Sequence, residues 1–398
     1  MRALKRLLTL GVPAGVAAML LWAVAPAVSL TPYAPEAVDF EQRVPDVTRV
    51  EGAQRLRASA AHGDDEGPVR FRSGVIDAPA RFDLAGIGGE LRPLEYRARA
   101  DGGEWSDWVE TANGDPVYFG GADDLQLRSR GPRPAGTLHY VNVSGSDTLA
   151  SRVLTGAREA VNSALISAAS VATAGAQPSK PQMVSRKAWG ASRGCRPRSG
   201  PAYGEVKAAT VHHTVTANDY SRDEAPGIVL GICRFHRNGN GWNDIGYNFL
   251  VDRFGGTYVG RSGGVRKAVV GAHAQGFNSQ STGAASIGTH TKDPISSDAM
   301  QAFVDVIAWK LALHATKAKG KTRLVSGGGR VNKFPSGKKV RVRRVFGHRR
   351  VNQTACPGGR LAKKLKRIAR RAQKRINAGS DVDDGVEDGV EDGGVPPS

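Results

Sequence analysis

The sequence predicts an α/β domain over residues 182–377, a central mixed β-sheet flanked by helices, preceded by a small β-sandwich-like domain over residues 68–148. Two observations support this fold class. Short runs of alternating polar and apolar residues, broken by Gly, Asp and Pro, fill the first region, whereas strand-like and helix-like patterns alternate in the second. Charge also divides the chain, because residues 31–180 hold 16 basic and 21 acidic residues whereas residues 181–377 hold 37 and 9.

The N-terminus has the outline of a secretory signal peptide. Basic residues precede an apolar run from Leu7 to Val24, which ends in small residues. The run is also barely long enough to span a bilayer, so residues 1–30 are predicted to be a cleaved signal or an N-terminal anchor. We therefore expect a secreted or cell-wall protein. Thiols tend to oxidise outside the cytoplasm, and three cysteines leave one that needs a separate explanation.

Residues 31–67 are predicted to be an extended N-terminal segment. In the β-rich domain that follows, the clearest hairpin joins LEYRARA to EWSDWVE around Asp101-Gly102-Gly103, and LQLRSR and TLHYVNV are further strands. No motif in this domain brings polar or metal-binding side chains together, which favours a spacer or a wall-docking module. Residues 149–181 are predicted to be a helical and flexible linker, because an Ala-rich stretch is followed by VATAGAQPSKPQ.

Three helices are predicted in the second domain. Ser221 and Glu224 form a capping box ahead of the first, which is expected to bury Ile228, Ile232 and Phe235. The second lies in SSDAMQAFVDVIAWKLALH and the third in GRLAKKLKRIARRAQKRI. Their core-facing residues are predicted to be Met300, Phe303, Val304, Ile307 and Leu311, and Leu361, Leu365, Ile368 and Ala372. The tail, residues 378–398, holds 7 acidic and no basic residues and is predicted to be disordered.

The motif VHHT ends a predicted strand, where successive side chains point to opposite faces, so only one of His212 and His213 can face a given site. With His348 and Cys356, that histidine would form a His-His-Cys set. Three protein ligands leave a fourth zinc position open, which is typical of catalytic zinc. The spacing alone is equally consistent with a cysteine nucleophile and its base, or with unrelated loop residues.

From SRKAWGA to about Arg375 the sequence resembles the family of peptidoglycan-recognition proteins and N-acetylmuramoyl-L-alanine amidases, especially its secreted actinobacterial members. The matching pieces, in the order of the family, are AWGA, VHHTVTAN, GWNDIGYNFLVD, GAHAQGFNSQSTG and GHRRVNQTACPG. The resemblance implies zinc-dependent hydrolysis of the amide bond between N-acetylmuramic acid and L-alanine in peptidoglycan. The alternative is a non-catalytic peptidoglycan-binding protein of the same fold. Such members typically lack the metal-binding cysteine, and Cys356 is present.

The resemblance also assigns roles to individual residues. It implies that His212, His348 and Cys356 bind zinc, and that Tyr247 and Thr354 contact the reacting carbonyl. It suggests five substrate contacts: His213, Thr214, Trp242, His273 and Asn278. Two of these histidines, His213 and His273, are equally well explained as packed side chains, and Trp242 as a core residue. No general base is evident, because Asp244, the candidate carboxylate in the motifs, is interpreted as structural. The histidines outside the motifs are presumed structural: His62, His139, His236 and His314.

If zinc occupies Cys356, the remaining Cys195 and Cys233 are predicted to form a disulfide. Peptidoglycan is the expected partner, and a monomer is expected. Residues 310–375 hold 23 basic and no acidic residues, so this region is predicted to attract anionic wall polymers or an anionic membrane surface. A secreted chain is not expected to bind nucleic acid.

Overall fold

The computed structural model describes residues 37–50, 68–90, 92–111, 114–144 and 178–380. The predicted signal or anchor and most of the predicted linker and acidic tail lie outside these residues. Among the described residues, no helix is long and apolar enough to cross a membrane. The expected class is confirmed: an N-terminal β-rich region precedes a mixed sheet with helices on both faces.

The N-terminal region is a single hydrogen-bonded antiparallel sheet of eight strands. They are β1 Val38–Arg43, β2 Val47–Arg49, β3 Phe71–Ser73, β4 Ile76–Ile87, β5 Leu94–Arg99, β6 Val109–Thr111, β7 Val117–Ser129 and β8 Thr137–Asn142. The order is β1-β8-β4-β7-β3-β2, and β5 joins the sheet on β7 and carries β6. The predicted pairing of LEYRARA with EWSDWVE is confirmed, since Glu95 lies opposite Glu110 and Tyr96 opposite Val109.

The prediction for residues 31–67 is wrong in one respect. Strand β1 pairs with β8, and β2 pairs with β3, so both are members of the sheet and precede the predicted start at residue 68. The burial of their side chains explains why the sequence pattern did not predict these two strands. In β1 no side chain is fully buried, and in β2 only Val47 is, so neither strand has an apolar face that a pattern could reveal.

The second region is built on a five-stranded sheet of order β11-β10-β12-β9-β15. These strands are β9 Ala208–His213, β10 Phe249–Val251, β11 Thr257–Val259, β12 Ser281–Ser286 and β15 Val345–Gly347. All neighbours are parallel except β11, which is antiparallel to β10. A separate hairpin pairs β13 Lys321–Val325 with β14 Lys339–Arg343. Both faces of the sheet are buried, because successive strand residues contribute to different cores.

The helices cover this sheet on both sides. Helix α1, Glu224–Arg234, lies on one face, and α2, Ser297–Leu313, and α4, Leu365–Ser380, lie on the other. The capping box is confirmed: the Ser221 N–H donates to Glu224 Oε2 at 2.6 Å, and the Glu224 N–H donates to Ser221 Oγ at 3.4 Å. All the predicted core residues of the first two helices are buried.

The third predicted helix is broken. A short helix α3, Gly359–Ala362, ends two residues before α4 begins, and α4 continues to Ser380. The predicted core positions Leu361, Ile368 and Ala372 are fully buried, whereas Leu365 packs at the margin of the core. The two exposed lysines between the helices, Lys363 and Lys364, carry no apolar signal that would mark the break.

The N-terminal sheet and α1 share one hydrophobic core. Its members from the sheet are Leu84, Tyr118, Val141 and Val143, and they pack with the buried residues of α1. The fit is close at Gly86, where a Cβ atom would lie 2.7 Å from the Phe235 ring. Arg234 adds an ion pair to Asp39 at 2.7 Å. The N-terminal region is therefore packed on the second region, and its role as a spacer or a wall-docking module stays a prediction.

The predicted disulfide is confirmed between Cys195 and Cys233, whose Cα atoms are 5.9 Å apart. It ties the loop that enters the second region to α1 across 38 residues. We expect the double variant Cys195→Ser/Cys233→Ser to lose about 3–4 kcal/mol in free energy of unfolding, because the unfolded chain is no longer constrained. Denaturant unfolding of the oxidised parent and the variant measures this loss. Equal midpoints would contradict it.

Candidate functional site

Three side chains with metal-binding atoms meet where β9 and β15 end. His212 is the penultimate residue of β9, His348 directly follows β15, and Cys356 lies in the loop before α3. All three are buried. One ligand atom from each lies within 4.8 Å of the others. Because β9 and β15 are parallel neighbours, their carboxyl ends bring the two histidines to the same edge of the sheet.

Each histidine of this cluster has one ring nitrogen occupied and the other free. His348 Nε2 lies 3.0 Å from Asn352 Oδ1, which can only accept a hydrogen bond, so Nε2 carries the proton. Its Nδ1 is buried and has no hydrogen-bond partner. His212 Nε2 lies 3.1 Å from His273 Nδ1, and its Nδ1 lies 3.7 Å from Cys356 Sγ. In the tautomer that places the His212 proton on Nε2, its Nδ1 is unprotonated and faces the thiol, as metal ligation requires.

Burial holds this cluster in the uncharged state that suits ligation by imidazole. It lowers the pKa of His348 to about 4 and of His273 to about 3. The pKa of His212 falls well below its usual value, first through burial and then through repulsion by His348. Burial also raises the pKa of the Cys356 thiol. A metal ion bound here would reverse that last effect, because a coordinating thiol is deprotonated. The orphaned Nδ1 of His348 and the two-nitrogen, one-sulfur donor set fit a divalent cation of borderline softness.

Alternation along β9 separates the two adjacent histidines. The His212 ring packs 4.5 Å from the His348 ring and 5.3 Å from Tyr247. The His213 ring points to the other side, where its Nδ1 accepts a hydrogen bond from the His290 N–H at 3.1 Å. His213 does not line the cleft described below. Its side chain is thus placed as a packed histidine, the second of the two interpretations given above.

A cleft of about 200 Å³ opens beside the cluster. Of the predicted site residues it is lined by Trp242, Tyr247, His273, Asn278 and His348. His273 Nε2 is buried without a hydrogen-bond partner. Asn278 Oδ1 accepts hydrogen bonds from the His273 and Ala274 N–H groups at 2.9 and 2.7 Å, so its amide shapes the loop that carries His273.

Besides His213 and the metal-binding candidates His212 and Cys356, two more predicted site residues do not line the cleft. Thr354 is half-buried, and its Oγ1 accepts a hydrogen bond from the Cys356 N–H at 3.1 Å. This bond fixes the turn that presents the cysteine. Thr214 is buried, lies 3.0 Å from Thr216 Oγ1 and accepts a hydrogen bond from the Gly288 N–H. Both hydroxyls are therefore used within the protein.

Three residues that the sequence analysis did not assign to the site belong to it. Asp115 comes from the N-terminal sheet, lines the cleft and accepts a hydrogen bond from the Tyr247 hydroxyl at 2.7 Å. His236, presumed structural above, packs 4.6 Å from Trp242 and lies 3.1 Å from Asp115 Oδ1. Asn352 orients His348. Only Asn352 had a usable signal, because it lies four residues after His348 in the same motif.

Tyr247 is buried beside the cluster, and its pKa is raised well above the usual value by burial, then by the charge of Asp115. The phenol therefore stays protonated and can donate a hydrogen bond. Asp244, by contrast, is fully buried, pairs with Arg186 at 3.0 Å and accepts hydrogen bonds from the Ile245 and Ser262 N–H groups. It is structural, as the sequence analysis interpreted it.

A sequence model of the N-acetylmuramoyl-L-alanine amidase family matches residues 202–359. Peptidoglycan-recognition protein SC2 of Drosophila simulans is 31% identical over 178 residues, which are 44% of this chain and 80% of that protein. The solved structure of Drosophila PGRP-LB is 28% identical, covers 46% of this chain and 92% of that one, and has a TM-score of 0.36. The amidase LysC of Clostridium intestinale is 20% identical, with coverages of 48% and 97% and a TM-score of 0.34.

Proposed function

Because the chain belongs to the family of peptidoglycan-recognition proteins and N-acetylmuramoyl-L-alanine amidases, we propose that it is a zinc-dependent amidase. Its substrate is the amide bond between N-acetylmuramic acid and L-alanine in peptidoglycan. The observation that carries the proposal is the buried cluster of His212, His348 and Cys356, whose ligand atoms lie within 4.8 Å of one another. A non-catalytic binder of the same fold has no need for a complete ligand set.

Zinc bound by these three ligands supplies a Lewis acid and a water of lowered pKa at neutral pH. Tyr247 supplies a hydrogen-bond donor for the oxygen of the reacting carbonyl as it gains charge. His273 presents its buried, unpartnered Nε2 to the cleft, where it can donate to a substrate carbonyl. Thr354 acts by holding the Cys356 loop. Trp242, half-buried at the rim, offers an apolar face to a sugar or peptide.

The non-catalytic alternative makes a different prediction about the same cleft. A binder would capture peptidoglycan and leave every bond intact, with or without metal. Digestion of purified peptidoglycan by the whole chain therefore separates the two. The amidase releases new L-alanine amino groups and no new reducing sugar ends, loses this activity on chelation and regains it with zinc. Peptidoglycan binding without amino-group release by the zinc-loaded chain contradicts the proposal, as does activity that survives complete zinc removal.

We also propose that the enzyme acts outside the cytoplasm and is retained on anionic wall polymers. The hairpin of β13 and β14 exposes Lys321, Arg323, Lys339, Arg341 and Arg343. Helix α4 adds exposed Lys366, Arg367, Arg370 and Lys374. Exposed charges of one sign attract polyanions at low salt, and the attraction weakens as the Debye length falls to about 8 Å near physiological ionic strength.

Wall retention is expected to fall steeply with salt and to require the anionic polymer. Cosedimentation with intact walls and with walls stripped of anionic polymer, across a salt series, measures both dependences. The hairpin variant Arg323→Glu/Arg341→Glu should bind intact walls less at low salt, while hydrolysis of a soluble muropeptide is unchanged. Equal binding to both wall types at every salt concentration contradicts this proposal and leaves the amidase assignment untouched.

A further inference from the structure

The N-terminal sheet places one carboxylate in the cleft of the other region. Asp115 lies between β6 and β7, 132 residues before Tyr247 in the chain, and accepts its hydroxyl hydrogen bond. The segment around it is held against the second region, because Asn240 Nδ2 donates to the Gly114 carbonyl at 2.6 Å and Asn240 Oδ1 accepts from the Gly89 N–H at 3.0 Å. Contacts with Tyr247 and Asn240 of the second region therefore hold Asp115 and the residues around it at the cleft.

Asp115 is the only acidic residue among the described residues that line the cleft. Asp244, the motif carboxylate interpreted above as structural, is fully buried and already bonded to Arg186 and two backbone N–H groups. Of the buried histidines next to the cluster, His213 points away, and His273, whose Nδ1 lies 3.1 Å from His212 Nε2, offers a hydrogen-bond donor to the cleft rather than a negative charge. Asp115 is therefore the group in the cleft that combines negative charge with access.

Both hydrogen bonds that the Asp115 carboxylate accepts from described residues reach the same oxygen, Oδ1. His236 Nδ1 accepts the Gly246 N–H at 3.2 Å, so the proton of this imidazole is on Nε2, which donates to Asp115 Oδ1 at 3.1 Å. Tyr247 donates to the same Oδ1. These donors orient the carboxylate. The side chain is 12% exposed and lines the cleft.

Tyr247 has one hydroxyl proton, which it can give to Asp115 or to the reacting carbonyl oxygen, but not to both at once. Entry of the substrate carbonyl therefore removes one of the two hydrogen bonds that Asp115 Oδ1 accepts, and the bond from His236 remains. Resting on the proposed amidase function, we propose that Asp115 is the catalytic general base of this reaction, supplied by the N-terminal sheet. Carboxylates within hydrogen-bond reach of the attacking water commonly serve this purpose in hydrolases.

In the proposed step, one water molecule is consumed and one amide bond is broken. Asp115 takes one proton from the attacking water as the water oxygen bonds to the lactyl carbonyl carbon, and Tyr247 donates its hydrogen bond to the carbonyl oxygen. The bond between this carbon and the L-alanine nitrogen then breaks, and Asp115 returns the proton to that nitrogen. The products are the lactyl carboxylic acid and the free amino group of the peptide. No oxidant, reductant or further reactant is consumed.

Substitution of Asp115 in the full chain tests this role. We expect Asp115→Asn, which keeps the size and an acceptor oxygen, to lower kcat about 10²- to 10³-fold with KM within threefold. Zinc content and muropeptide binding by calorimetry should match the parent. Asp115→Ala should regain part of its activity in formate, because a small carboxylate can occupy the vacated space. The control Asp107→Asn, an exposed position in the loop between β5 and β6, should retain parental activity and gain nothing from formate.

The possible results of these experiments distinguish failure of the general-base proposal from failure of the amidase assignment. If the zinc-loaded parent cleaves the amide while Asp115→Asn keeps more than a third of its kcat, the general-base proposal fails and the amidase assignment stands. Asp115→Asn faster than the parent also overturns the proposal, since the carboxylate would then restrain Tyr247. Loss of zinc in both Asp115 variants, or no formate rescue of a folded Asp115→Ala, likewise rejects it. A zinc-loaded parent that cleaves no amide bond rejects the amidase assignment itself.

Discussion

His212→Ala is expected to lose zinc and amide hydrolysis together, whereas His213→Ala keeps both. The two residues are adjacent on β9 and both are buried, so the substitutions delete the same side chain from the same strand. Only His212 turns its free nitrogen toward Cys356. We expect the zinc affinity of His212→Ala to fall by more than about 100-fold, because the residues that merely orient ligands are already worth 10- to 100-fold.

The loss of zinc affinity is expected to differ between substitutions at this site. Asn352→Ala removes the acceptor that fixes the His348 ring, and it should weaken zinc binding about 10- to 100-fold, less than His348→Ala or Cys356→Ala. Metal content by mass spectrometry and competition with a chelator of known affinity measure the series. Zinc retained by His212→Ala at the parental affinity, or lost equally by His213→Ala, contradicts the ligand assignment.

Tyr247→Phe is expected to lower kcat about 10²- to 10³-fold, because it removes one hydrogen-bond donor from the charge that develops on the carbonyl oxygen. The ring still packs against His212, so zinc content should not change. Rates on a soluble muropeptide, together with metal content, give the result. A decrease in kcat of less than fivefold would show that the Tyr247 hydroxyl does not stabilise the transition state.

Tyr258 provides the matched control. It is also a buried tyrosine whose hydroxyl donates to a buried carboxylate, Asp252 Oδ2, at 2.9 Å. It does not line the cleft. Tyr258→Phe should therefore cost about 1–3 kcal/mol in stability, since a buried acceptor loses its partner, and leave kcat unchanged. Equal losses of kcat in the two variants would indicate a general effect of removing a buried hydroxyl.

Local sequence patterns predicted the parts of the fold that local physics decides. The period of two along β9 separated His212 from His213, and the spacing of Ser221 and Glu224 predicted the start of α1. Apolar residues at helical spacing predicted the buried face of α2. Each of these features depends on residues that are close together in the chain, so the local sequence contains all the information needed to predict it.

Contacts between distant segments could not be predicted in this way. Asp115 follows Gly114 in an ordinary turn-like stretch, and its position in the cleft depends on packing of β4, β7 and β8 against α1. His236 was assigned to the structure alone for the same reason, since its partner lies 121 residues earlier. The break before α4 was missed because exposed lysines continue a helical pattern without an apolar residue to contradict it.

The central claim is that this chain breaks one particular amide bond. Hydrolysis of a defined muropeptide in ¹⁸O-labelled water by the zinc-loaded full chain, followed by mass spectrometry of the products, tests it most directly. Attack of water on the lactyl carbonyl places one ¹⁸O in the carboxylate of the muramic acid product and none in the peptide, whose N-terminal L-alanine becomes free. Label in the peptide, or a muropeptide that stays intact under these conditions, would contradict the account.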